Sequence, residues 1–161
     1  EEKLVSNTLF VKRINNNCSK DEIKVMKMVR DSYALLRKHI FPFVGWTIDL
    51  DFSLWRPKDG EAFEFNGKVM TVNTQWEYMQ ASITVHVSNL VYWAKEENKT
   101  DDELKKTIFT SMVHELFHIV IAEIRDDGDN EHLDKHEERV VTNLTGILYS
   151  AITHTYPEKG R

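Results

Sequence analysis

Cysteine is nearly absent. Cys18 is the only one in 161 residues, so no internal disulfide can form and a reducing, cytoplasmic setting is the expected home. Glycine (6) and proline (3) are scarce, and no internal repeat or low-complexity segment interrupts the chain, which leaves no long disordered tract to expect. No apolar run approaches the roughly 18 residues of a membrane span, and the start lacks the charged-then-apolar pattern of a signal segment. Positive charge is not in excess: 21 Lys and Arg against 26 Asp and Glu give a net charge of −5, which argues against nucleic acid as an obligate partner. What is present is 41% hydrophobic and 29% charged, enough for one domain over residues 1–161 to close a core.

Periodicity divides that chain. Glu1 to Asn17 mixes apolar and polar positions and reads as a short strand or an arm. Ser19 followed by Glu22 is a capping-box signature, and Ile23, Met26, Val29, Tyr33, Leu36 and Ile40 recur behind it at helical spacing. A helix is therefore expected from Lys20 to about His39, closed by Pro42. Trp46 to Leu54 alternates as a half-buried strand does, and Arg56 to Gly60 is a turn. Ala62 to Phe65, Asn66-Gly67 and Lys68 to Val72 spell a hairpin, because Asn-Gly suits a type I′ turn. Ser82 to Ser88 alternates again, and Asn89 to Glu97 reads as a short helix.

Thr100 with Glu103 is a second capping box, opening a long helix from Asp101 to about Ile124. Arg125 to Lys135 follows as an acidic loop whose composition resembles calcium ligands but whose spacing fits no twelve-residue calcium loop. A final helix is expected from about His136 to Thr153, with Val140, Val141, Leu144, Ile147, Leu148, Ala151 and Ile152 facing inward. The order of elements predicts an α+β fold: an N-terminal helix, a small mostly antiparallel sheet and two closing helices.

The chemistry sits in the long helix, at His114-Glu115-Leu116-Phe117-His118. Histidines four apart lie one above the other on a helix face and can grip one divalent ion, with Zn²⁺ the usual guest for nitrogen and oxygen donors. Glu115 follows the first histidine and points to the side, where a carboxylate can take a proton from water without being a ligand. The helix is apolar over most of its circumference after residue 108, so these polar groups need partners. Zinc held by two histidines wants one more protein donor and an open position. Glu137 and Glu138 open the last helix; Glu137 shares a face with Val141, Leu144 and Leu148 and is favoured on helical phase, while Glu138 is rotated toward Thr142 and Thr145. His132 and His136 are further donor candidates.

An H-E-x-x-H helix followed by a glutamate-bearing helix resembles the gluzincin metallopeptidases, and in particular the minimal gluzincins of phages and mobile elements, the ImmA/IrrE type among them. The resemblance covers residues 69–152 and rests on His114, Glu115, His118 and the Glu137/Glu138 pair. Glu138 matches the thermolysin-like spacing better. The metzincin extension is excluded, because Ile121 and Ile124 stand where it needs Gly and His. Phe117 stands where the ImmA/IrrE type has Gly. Val141 or Thr142 stands where a thermolysin-like helix has Asp, so support for the histidines must come from elsewhere.

The resemblance implies a zincin-like fold and a zinc endopeptidase, with the ion held by His114, His118 and Glu137 or Glu138 and with Glu115 as general base. The substrate would be a peptide or protein, aligned on the Ser82–Ser88 strand as zincins align theirs. Tyr149, His154 and Tyr156 are candidates for a transition-state hydrogen bond, His86 is expected to face outward, and Phe117 and Trp76 to pack or line a pocket. Two alternatives stay open. One is a SprT-like protease with His132 as third ligand, the other a non-catalytic zinc-stabilised module that binds a protein partner.

Overall fold

The capping box at Ser19 forms: its hydroxyl accepts from the Glu22 amide (3.2 Å), and the Glu22 carboxylate accepts from the Ser19 amide (2.7 Å). In this computed structural model, which describes residues 18–41, 43–55, 63, 65–122 and 131–155, that cap opens helix α1 (Lys20–His39). α1 sends Val25, Met26, Val29 and Leu36 into the core; the stripe is rotated from the expected one, with Ile23 38% exposed. The arm at Glu1–Asn17, Pro42, the turn at Arg56–Gly60 and the acidic part of the 125–135 loop lie outside the described residues.

Three strands follow, β1 (Thr47–Ser53), β2 (Met70–Gln75) and β3 (Gln80–His86). Alternation sets their faces. Ala81, Ile83 and Val85 are buried in β3, with Ile48, Leu50 and Phe52 of β1 and Met70 and Val72 of β2 beside them in register. The opposite face is polar, and across it the Ser82 hydroxyl donates to Asp51 (3.0 Å). A sheet packed on one side only needs this division of residue types.

The sheet is mixed rather than mostly antiparallel. Its order is β1-β3-β2, with β3 parallel to β1 and antiparallel to β2. The cause is the connection between residues 53 and 70, which carries the chain from one edge of the sheet to the other and leaves the central place for β3. The tight link is therefore between β2 and β3, where a single 3₁₀ turn (Trp76–Tyr78) and Met79, in the left-handed region at φ 49°, reverse the chain. Asn66-Gly67 does not join two strands as expected: Phe63 and Phe65 belong to none, and Ala62 and Glu64 lie outside the described residues. Instead the Asn66 side chain accepts from the Lys68 amide (3.1 Å) and Gly67 takes φ 76°, steering the chain into β2.

Helices α2 (Val87–Glu96), α3 (Asp101–Ala122) and α4 (Glu131–Thr155) complete an α+β architecture of four helices and one three-stranded sheet among the described residues. α3 begins at the predicted capping box, with the Thr100 amide donating to Glu103 (2.8 Å) and the Glu103 amide to the Thr100 hydroxyl (3.3 Å). It touches α1, α4 and β2, and its middle is sealed: Ile108, Met112, Leu116 and Ile119 are fully buried. α4 begins earlier than expected, at Glu131, and Ile147, predicted to face inward, is 67% exposed. The expected stripe was too wide for a helix with one main neighbour, α3. Among the described residues no helix is long and apolar enough to cross a membrane.

Asn89, at the start of α2, ties the entry of β2 to the helical layer. It is buried and its side-chain amide donates to the Lys68 carbonyl (2.6 Å) and to Asn66 (2.8 Å). Asn89→Ala leaves the Lys68 carbonyl short of its donor and should lower unfolding free energy by about 1–3 kcal/mol in urea denaturation. An unchanged midpoint would show that the tie is dispensable.

Candidate metal centre

His114, Glu115 and His118 all leave the sealed middle of α3, and the folded chain gives each a partner from another element. The two histidines sit one turn apart, so their rings meet edge to face with the Nε2 atoms 3.1 Å apart. α4 lies against this turn and presents both glutamates. One oxygen of Glu138 is 3.1 Å from His118 Nε2 and the other is 3.4 Å from His114 Nε2. Glu137 is on the far side of the same ring, with Oε1 2.7 Å from His118 Nδ1.

The third donor is thus a geometric matter. His114, His118 and Glu138 form the group among the described residues whose ligand atoms all lie within 4.8 Å of one another, whereas Glu137, favoured on helical phase, meets the other nitrogen. The phase argument was right about direction, since Glu137 points inward and is 14% exposed against 59% for Glu138. At that height, inward brings the Glu137 carboxylate to the back of the His118 ring. Donors about 2.0–2.1 Å from a tetrahedral zinc ion stand about 3.3–3.4 Å from one another, close to the spacings seen here. Two imidazoles and a carboxylate are also the donor types such an ion takes.

Electrostatics favour a neutral, ligand-ready His114. Burial, then the neighbouring His118, pushes its pKa below the ordinary histidine value, while Glu138 pulls the other way. Glu115 is buried at 9% exposure, and burial pushes its carboxyl up to about 7, with His118 and a hydrogen bond from the Val72 backbone opposing. Val72 lies in β2, an edge strand. Because the His86 amide donates to the Val69 carbonyl (2.9 Å), the ladder pairs alternate from there, and Met70, Val72 and Thr74 turn their backbone groups away from β3. The strand beside the site is therefore β2. The expected substrate strand, Ser82–Ser88, is corrected: its residues up to His86 belong to central β3, whose two edges are both paired, and Val87 and Ser88 open α2.

Other predicted positions separate from the cluster. His136 is exposed and its Nδ1 is 3.0 Å from Arg139. Tyr149 stacks under Lys106 (5.0 Å). His86 is half-buried on the polar face of the sheet, 3.5 Å from Thr71, and Phe117 packs edge-on against Phe41 (5.1 Å). The side chains of His132, His154, Tyr156 and Trp76 lie outside the described residues. The Val72 amide was not foreseen, and no side-chain pattern could have announced a backbone donor.

Compared with known proteins, the chain matches no family model, no curated protein and no solved structure.

Burial of Glu115 has a consequence for the metal-free chain. Folded Glu115 keeps its proton to about pH 7, whereas an unfolded glutamate releases it near 4.5, so the folded state binds more protons between these values. The corresponding stability is present below pH 4.5 and is lost as pH rises to 7. With chelator present, Glu115→Gln should be the more stable protein at pH 7, by up to about 3 kcal/mol, and the gap should close toward pH 4.5. Identical pH profiles for the two proteins would contradict this environment for Glu115.

Proposed function

We propose that the chain is a zinc-dependent metalloendopeptidase of the minimal gluzincin type, acting on a peptide or protein substrate. The observation that carries this reading is the convergence of His114 Nε2, His118 Nε2 and the Glu138 carboxylate at 3.1–3.4 Å beside a buried glutamate. His114, His118 and Glu138 would hold the ion, leaving a position open. The chemistry it supplies when bound is that of a Lewis acid, lowering the pKa of water and polarising a carbonyl.

The chain's own residues supply the rest. The Glu115 carboxylate, buried beside the donor atoms, takes a proton from the attacking water and returns it to the leaving amine. The Val72 amide holds that carboxylate in place from β2. The same edge strand aligns the substrate as an added strand, its outward backbone groups at Thr74 offering hydrogen bonds. Glu138 offers a third donor beside the two histidines, which favours this reading over a SprT-like protease. An intact Glu115 beside the donors has no purpose in a purely structural zinc module. The lone Cys18 fits work in the cytoplasm.

Glu115→Gln tests the reading. It should bind one zinc ion per chain as the parent does, and lose hydrolysis of casein or of a peptide library by at least about 100-fold. Proteolysis undiminished in that variant would remove Glu115 from the reaction, and a parent chain that takes up no zinc would remove the metal.

A further inference from the structure

Two adjacent glutamates on α4 bracket one imidazole. Glu138 stands at Nε2 of His118 (3.1 Å) and Glu137 at Nδ1 (2.7 Å). Consecutive helix residues point about 100° apart, so a ring presented edge-on from α3 can be met on both sides by neighbours in sequence. The two carboxylates are not equivalent. Glu138 is 59% exposed and within reach of both histidines; Glu137 and His118 are each only 14% exposed, so water competes little for the contact between them.

We infer that Glu137 is a positioning residue: it accepts the Nδ1 proton of His118 and so fixes the tautomer that leaves Nε2 bare for a metal. The inference rests on the zinc reading above. A neutral imidazole carries one proton, and which nitrogen keeps it is set by the hydrogen bond made at the other. Without an acceptor at Nδ1, the proton can sit on Nε2, where Glu138 would accept it, and the ligand atom is blocked. A carboxylate at Nδ1 also holds the ring's orientation and raises its basicity toward the metal. The contact is short enough for a charge-assisted bond.

The test compares Glu137→Gln, Glu137→Ala and Glu138→Ala, reading zinc affinity by chelator competition and the His118 ring nitrogens by long-range ¹H–¹⁵N NMR of the zinc-free protein at pH 8. Glu137→Ala should weaken zinc binding by about 10–100-fold and move His118 away from the Nδ1–H form. Glu137→Gln, which keeps an acceptor oxygen without the charge, should restore the tautomer and part of the affinity. Glu138→Ala should lose more zinc affinity than either while His118 stays in the Nδ1–H form. If Glu137→Ala and Glu137→Gln keep both parental affinity and the parental His118 spectrum while Glu138→Ala loses zinc, the positioning role is wrong and the zinc reading stands. If Glu138→Ala also binds zinc as the parent does, Glu138 is not the third donor and the donor set on which this inference rests fails.

Discussion

A helix that is apolar over most of its circumference cannot bury three polar side chains unless other elements satisfy them. α3 is in that position: Ile108, Met112, Leu116 and Ile119 are fully buried around His114, Glu115 and His118. A buried polar group without a partner costs on the order of 1–3 kcal/mol, so the placement of α4 and β2 is as much a matter of satisfying α3 as of covering apolar surface. α4 answers with Glu137 and Glu138, and β2 with the Val72 amide. Fold and site are thereby built from the same contacts.

The arrangement also separates two acids by environment. Glu138 is more than half exposed, whereas Glu115 is buried and that burial pushes its carboxyl up to about 7. The mixed sheet matters here because it places the antiparallel strand β2 at the edge, against α3, with outward backbone groups at the level of Glu115.

Much of this was legible beforehand, for identifiable reasons. Both capping boxes, Ser19/Glu22 and Thr100/Glu103, are local interactions between residues three apart, and the helices start where they say. Alternation named the buried faces of β1 and β3 because side-chain period is a property of the strand alone. Strand direction is not, and the mixed order depends on where the connection after Ser53 goes. Asn66-Gly67 signals a turn but not what the turn joins. In the site, His114 and His118 were paired by spacing within one helix, whereas Glu137 and Glu138 could be told apart only once the height and tilt of α4 against α3 were known. Helical phase gives a direction around an axis, and a ligand assignment needs a point in space.

The account stands on one ion shared by residues of two helices. X-ray absorption at the zinc edge, with anomalous diffraction from crystals of the zinc-loaded protein, tests it most directly. The predicted result is a single ion bonded to Nε2 of His114, Nε2 of His118 and an oxygen of Glu138, with Glu137 outside the coordination sphere at Nδ1 of His118. An ion held elsewhere, or a sphere that includes Glu137 and leaves out Glu138, would contradict it.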